Sequence, residues 1–198
     1  MEVFETIKSL QQSLSAIGQN LTLGLVPTMG ALHQGHLSIV RKAQEENDRV
    51  IVSIFVNPTQ FDKKEDLVNY PNTLDADLKV LESIGCDYVF TPSIEEVYQG
   101  KTASESFDFE GLDQVMEGKF RTGHFDGVAT IVKKLFKITK PTKAYFGEKD
   151  YQQLMIIKKM VAIESLPIDI VSVRIYREDD GLAMSSRNTR LTENQRNA

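Results

Sequence analysis

Two of the chain's three histidines, His33 and His36, fall inside one ten-residue turn, Pro27-Thr-Met-Gly-Ala-Leu-His-Gln-Gly-His36. Imidazole donates, accepts and titrates near neutral pH, and residues three apart at a helix start converge on one side. Before the turn runs Leu21-Thr-Leu-Gly-Leu-Val26, short and apolar enough for a buried parallel strand. After it, Leu37, Ile39, Val40 and Ala43 mark one face of a helix. A helix start presents unpaired N–H groups and a partial positive charge, which attract anions and phosphate above all. The turn therefore reads as a binder of nucleotide phosphates. The structural alternative is that the two imidazoles cap the helix or lie idle on the surface. Metal binding by the pair has less support, because no cysteine or third histidine lies nearby.

Other polar segments carry related chemistry. Gly147-Glu148-Lys149-Asp150 joins a strand to a helix; Lys149 there suits a phosphate, and Asp150 suits either helix capping or orientation of the lysine. One of Gln152 and Gln153 is expected to face the site and the other solvent. Gln60 closes the segment after a second strand and, if buried, would hydrogen-bond a small polar substrate. Ala183-Met184-Ser185-Ser186-Arg187-Asn188 offers two hydroxyls and a planar guanidinium fork, though a solvated loop has the same composition. Arg121-Thr-Gly-His124-Phe-Asp-Gly127 holds the third histidine in another turn of anion-facing type, with low specificity. The chain has no P-loop, no GxGxxG, no nucleophile elbow and no cysteine–histidine pairing.

The elements that must position these residues are strands alternating with helices. Val3, Ile7, Leu10, Leu14 and Ile17 predict a helix over 3–17, stopped by Gly18. Apolar runs predict strands at Leu21–Val26, Arg49–Val56, Tyr88–Phe90, Ala144–Phe146 and Ile168–Ile175. Helical spacing recurs from Leu74 to Ile84, Gly127 to Lys140 and Tyr151 to Ser165, while 59–72 reads as loop. Residues 93–123 are weakly patterned, with an edge strand suggested by the alternation at Ser106-Phe-Asp-Phe109. The expected fold is α/β, a Rossmann-like, doubly wound parallel sheet. In such sheets ligands bind beyond the carboxyl ends of the strands. Four of the five predicted strands lead there into the histidine turn, Asn57–Gln60, Gly147–Asp150 and Arg177–Arg187.

At 198 residues the chain suits one substantial domain, or one domain with a small appendage, and 41% hydrophobic with 26% charged residues is ordinary for a globular protein. A net charge of −5 argues against a general nucleic-acid binder. The lone cysteine, Cys86, excludes an internal disulfide framework and suits a reducing compartment. No apolar run approaches the roughly 20 residues of a membrane helix. The N-terminus lacks a signal peptide's basic start and apolar core, so the expected location is cytoplasmic, with no membrane partner.

The His33-Gln34-Gly35-His36 turn resembles the HxGH signature of the nucleotidylyltransferase and class I aminoacyl-tRNA synthetase superfamily, and Met184-Ser185-Ser186-Arg187 resembles its KMSKS-type partner loop. More closely, Pro27–His36, Phe55-Val-Asn-Pro-Thr-Gln-Phe61, Tyr70-Pro71, Gly147-Glu-Lys-Asp-Tyr-Gln-Gln153 and Gly181–Asn188, in this order, resemble the pantothenate synthetase (pantoate–β-alanine ligase) family. The likeness spans nearly the whole chain.

That resemblance implies an ATP-dependent ligase that condenses pantoate with β-alanine through a pantoyl adenylate, releasing pyrophosphate and AMP, on the coenzyme A pathway. It implies ATP contacts from Met29, Gly30, Ala31, Leu32, His33, Gln34, Gly35 and His36, from Gly147, Glu148, Lys149 and Asp150, and from Tyr176, Met184, Ser185, Ser186 and Arg187. His33 and His36 would touch the phosphates, with His36 the stronger candidate for hydrogen-bond or proton donor. Lys149, Ser185, Ser186 and Arg187 would steady the departing pyrophosphate. Gln60 and Gln153 would hold pantoate, with Gln60 also near β-alanine. Mg²⁺ would ride mainly on the phosphates, with Asp75 and Asp77 as weak candidates for helping. Family likeness further implies a homodimer and a smaller C-terminal domain that closes over the site. Residues 1–188 are thus expected to form the ATP- and pantoate-binding domain, and 189–198 the start of a linker to a lid absent from this chain. The alternatives are a nucleotidylyltransferase with a stable adenylyl product and a non-catalytic nucleotide-binding module.

Overall fold

A computed structural model describes residues 1–196 apart from 17, 19, 189 and 190. Its apolar runs form six parallel strands, β1 (Glu2–Phe4), β2 (Leu23–Thr28), β3 (Arg49–Ile54), β4 (Tyr88–Phe90), β5 (Lys143–Gly147) and β6 (Asp169–Val173), in the order β1-β4-β3-β2-β5-β6. Successive strand residues point to opposite faces, so each strand feeds two cores. Leu23, Leu25, Ile51, Phe90, Ala144 and Phe146 pack with the first helix, α1 (Ile7–Ser15), and with two helices late in the chain. Val26, Val50, Val52, Val89 and Tyr145 pack with α2 (Gln34–Glu46) and, beyond the short α3 (Lys64–Val68), with α4 (Leu74–Ser83). From β2 the chain steps outward through β3 to β4, then crosses back to lay β5 and β6 on the other side of β2. This reversal is the switch point at which a doubly wound sheet opens a crevice.

Three sequence expectations change. The helical spacing predicts a helix from Val3, but Val3 lies in β1, paired with Val89. Thr6 then caps α1, its Oγ1 accepting the Ser9 N–H at 3.2 Å, so the helix begins four residues after Val3. Ile17, the last residue of that pattern, lies outside the described residues. The 59–72 loop contains a single 3₁₀ turn at Pro58–Gln60 and α3.

The third change concerns the middle of the chain. Following α5 (Ile94–Tyr98), the Ser106–Phe109 run forms no strand and pairs with none. It lies instead on α6 (His124–Thr139), whose side chains take its amides: the Glu105 N–H donates to Thr130 Oγ1 at 2.8 Å and the Phe107 N–H to Asp126 Oδ1 at 3.1 Å. Those bonds supply what a neighbouring strand would have supplied, while Phe109 enters the core. Further on, α7 (Tyr151–Ile163) follows β5, and α8 (Glu193–Arg196) is pinned by Arg196 to Glu178 and Asp180. Among the described residues no helix is long and apolar enough to cross a membrane.

One glycine fixes where α6 crosses the sheet edge. A Cβ at Gly127 would sit 2.4 Å from the carbonyl oxygen of Thr59, a backbone atom that cannot swing away. Gly127→Ala is therefore expected to lower stability by about 1–3 kcal/mol, read as an earlier urea midpoint at unchanged m-value.

Candidate active site

The histidine turn leaves β2 at Thr28 and folds back through two left-handed residues, Gly30 (φ 81°) and Ala31 (φ 51°). Asp77, on α4 and only 3% exposed, holds this bend: the Ala31 N–H donates to its Oδ2 at 2.9 Å and the Leu32 N–H to its Oδ1 at 2.8 Å. His33 then caps α2. Its Nδ1 accepts the Gly35 N–H at 3.1 Å, and the Nδ1 of His36 accepts the His33 N–H at 3.3 Å, which closes a capping box. A Cβ at Gly35 would sit 2.9 Å from the folded-back His33 ring, so the position excludes larger residues. The two rings lie 4.0 Å apart, tilted by 34°.

The cap does not exclude a further role for the pair, because it fixes which ring nitrogen carries the proton. Each Nδ1 is occupied as an acceptor, so in a neutral ring the proton sits on Nε2, free to donate. Burial pushes His36 down to about 3, with the neighbouring His33 and Lys149 adding to the effect against Asp150. Burial also lowers His33, helped by Lys149. At neutral pH the pair is two neutral N–H donors rather than two cations.

The same shifts set a pH dependence. His33, His36 and the buried His124 all titrate below 6.5 in the folded chain, so unfolding takes up protons at pH values below that. Stability is full above pH 6.5 and falls as the pH drops toward the folded values, by at most about 1.4 kcal/mol per pH unit for each histidine. The expected result is a lower urea midpoint at pH 5.5 than at pH 7.5.

The polar segments predicted to meet do meet. One cleft over the switch point is walled by Met29, His33, Gly35 and His36 from the turn, by Gly147, Lys149 and Asp150 after β5, and by Tyr176, Met184, Ser185, Ser186 and Arg187 after β6. Gln60 and Gln153 line it as well, whereas Gly30, Ala31, Leu32, Gln34 and Glu148 stand outside its wall. Asp150 makes no side-chain cap to α7. Its carboxylate accepts from Lys149 Nζ at 2.7 Å, so it orients the lysine. The serine–arginine loop is fastened by Arg187 to Asp66 at 3.0 Å and by Ser186 to the phenol of Tyr70.

Gln60 is 8% exposed and firmly held. Its Oε1 accepts from Asn57 Nδ2 at 3.0 Å, while Tyr98 donates to Asn57 Oδ1 at 2.5 Å and Asn57 Nδ2 also reaches the Gly127 carbonyl at 3.1 Å. The amide orientation that results turns the Gln60 NH₂ toward Met29 Sδ, 3.1 Å away in the histidine turn. Of the adjacent glutamines, Gln153 faces the cleft. Gln152 is buried rather than solvated: its Nε2 donates to the Leu112 and Val115 carbonyls at 2.7 Å each, and its Oε1 accepts the Glu117 N–H at 3.0 Å. It ties down the middle segment.

That segment brings residues which the sequence reading ranks low. Arg121 and His124 line the cleft beside Glu117. His124 Nδ1 donates to the Gln60 carbonyl at 2.7 Å, and Arg121 pairs with Glu117 and with Asp62. The only signal in the sequence is a histidine between two glycines ahead of a helix. Asp77 carries even less signal, as one acid in a polar helix start.

A parallel sheet reversing beside β2, with an HxGH turn and a serine–arginine loop on one cleft, has the HxGH nucleotidylyltransferase fold. The Pantoate-beta-alanine ligase family model matches residues 2–198, and the chain belongs to that family. The pantothenate synthetase of Bacteroides fragilis is 55% identical over 197 residues, covering 99% of this chain and 70% of that protein. The crystal structure of pantothenate synthetase from Thermus thermophilus superimposes with a TM-score of 0.92 at 43% identity, covering 100% of this chain and 70% of that one. A pantoate–β-alanine ligase from Francisella tularensis, complexed with beta-gamma ATP and β-alanine, gives 0.93 at 43% identity, covering 98% and 74%. The chain thus spans about 70% of its relatives' length. It is a ligase of pantoate and β-alanine.

Proposed function

We propose that the ligation runs in two steps in this one cleft. A pantoate carboxylate oxygen attacks the α-phosphorus of ATP, breaking the bond to pyrophosphate and giving pantoyl adenylate. The β-alanine amine then attacks the acyl carbon, losing a proton as the C–O bond to AMP breaks, and pantothenate leaves. Joining anion to anion asks the protein for alignment and neutralised charge rather than covalent help. His33 and His36 donate Nε2–H to the phosphate oxygens. Lys149, Ser185, Ser186 and Arg187 meet the departing pyrophosphate. The remainder of Met29–His36 and Gly147–Asp150, with Tyr176 and Met184, shapes the ATP site. Gln60 and Gln153 hold pantoate, whose hydroxyl and carboxylate oxygens suit the NH₂ that Gln60 presents, and β-alanine enters beside Gln60.

In this reading a Mg²⁺ ion would be carried by the triphosphate. Among the described residues no group of three or more histidine, cysteine or acidic side chains is placed to hold a metal. Mg²⁺ commonly keeps its waters and leans on phosphates in this way. When bound it neutralises charge on the oxygens of the leaving group.

Residues 1–188 form the ATP- and pantoate-binding unit in this reading, and 189–198 lead toward a closing domain, with 189, 190, 197 and 198 outside the described residues. The working state is a homodimer in the cytoplasm, in keeping with the family likeness and the buried, unpaired Cys86. The observation that carries the proposal is the convergence of segments from β2, β3, β5 and β6 on one cleft. Exchange of labelled pyrophosphate into ATP that requires pantoate, followed by AMP release that requires β-alanine, is the expected result. Pyrophosphate release with a stable adenylyl product and no use of amine would overturn it.

A further inference from the structure

We infer that Asp77 is a positioning residue that sets the imidazole pair through the backbone of the histidine turn, without itself touching ligand. The inference deepens the adenylate-forming reading above and rests on it for its kinetic arm. Asp77 is buried at the start of α4, with its carboxylate turned toward the histidine turn. Oδ1 accepts the Leu32 N–H at 2.8 Å; Oδ2 accepts the Ala31 N–H at 2.9 Å and the Thr73 hydroxyl at 3.0 Å. Thr73 Oγ1 in turn accepts the Ala31 N–H at 3.1 Å.

These bonds fall where the backbone most needs them. Ala31 holds a left-handed conformation (φ 51°) that an alanine seldom adopts without outside support. Gly30 makes room for the acid, since a Cβ there would sit 3.0 Å from Asp77 Oδ2. The anchor is rigid in its own right: Leu81, one turn along α4, packs in the same core as Leu37 and Val40 of α2. One residue after the anchored amides, the His33 N–H donates to His36 Nδ1 and the His33 ring turns back to accept from Gly35. Both Nε2 positions therefore follow from the backbone at 31–33, and that backbone is held from α4.

The test compares the unaltered chain with Asp77→Asn and Thr73→Val. In Asp77→Asn an NH₂ replaces one acceptor and faces an N–H, while the shape stays the same. Its Ala31 and Leu32 amide resonances are expected to move upfield in the ligand-free protein and to lose hydrogen-exchange protection. Pantoate-dependent pyrophosphate exchange is expected to lose about 30- to 100-fold in kcat/KM for ATP, as for a displaced catalytic group, with KM for pantoate within about threefold. The Mg²⁺ concentration giving half-maximal rate should be unchanged. Thr73→Val removes one supporting hydroxyl, keeps its melting temperature, and should lose about threefold to tenfold in the same constant. Unmoved amides in Asp77→Asn, or unaltered ATP constants in both variants, would overturn the inference. So would recovery of the lost rate by added Mg²⁺, which would make Asp77 a metal ligand. If the unaltered chain shows no pantoate-dependent exchange, the adenylate reading fails, and the amide resonances still decide the role of Asp77.

Discussion

His36→Ala is expected to cut pantoate-dependent pyrophosphate exchange about 100- to 1,000-fold, the usual cost of removing one preorganised donor to developing charge. Its Nδ1 is engaged by the His33 N–H, so Nε2–H is the group that faces the cleft. Burial holds the ring neutral, with a folded pKa of about 3, and it need not shed a proton before donating. The alanine variant also opens the capping box, at about 1 kcal/mol of stability. His36→Gln separates the two effects, because glutamine at the third helical position can accept the cap N–H and keep the box closed. The expected pattern is a glutamine variant nearly as inactive as alanine but melting like the parent. A melting collapse in the glutamine variant would show that the ring is structural.

The second large effect is at Lys149. Lys149→Met keeps the apolar stem, removes the charge, and is expected to lose about 100-fold or more in the same exchange reaction. Its partner Asp150 stays behind as an unpaired carboxylate on the cleft wall, 2.7 Å from where the ammonium stood. Repulsion of the triphosphate should then raise KM for ATP as well as lower kcat, and adding Asp150→Asn should restore part of the KM but not the rate. The melting temperature should barely move, because both side chains are solvent-exposed and such pairs contribute only about 0–1 kcal/mol. Lys149 also helps depress the pKa of His33, so its loss should shift the acid limb of the rate profile to higher pH. Full activity in Lys149→Met would remove the lysine from the chemistry.

The meeting of these two residues on one cleft was legible in the sequence because each sits in a short polar turn directly after an apolar strand. The parallel sheet then carries both to one edge with no further information. What stayed hidden depends on contacts that cross the chain. Asp77 meets Leu32 from 45 residues away, and His124 meets the Gln60 carbonyl from 64. No local period records either meeting. The helical spacing at Val3 misled because three residues of edge strand precede a cap, and an apolar residue fits both patterns. The alternation at Phe107 and Phe109 misled differently: the Glu105 and Phe107 amides are met by side chains of α6 instead of a strand. Gln152 and Gln153 could not be told apart by type, since one is set by the carbonyls above it and the other by the cleft.

Thirteen of the sixteen residues of α6 are buried, and Val128, Ile131, Val132 and Leu135 of that helix floor the cleft near Gln60. The serine–arginine loop on the rim rests instead on largely exposed backbone, tied by the Met184 N–H to the Tyr176 carbonyl at 3.0 Å and by Arg187 to Asp66 at 3.0 Å. Opening the floor means undoing the core, whereas parting the rim breaks only surface hydrogen bonds and ion pairs such as Arg187–Asp66, which cost less. The floor of the cleft should thus exchange its amide hydrogens only on global unfolding, and the rim within the native state. Breathing should then be confined to the rim that carries the serine–arginine loop, while the floor beside Gln60 stays as rigid as the protein is stable.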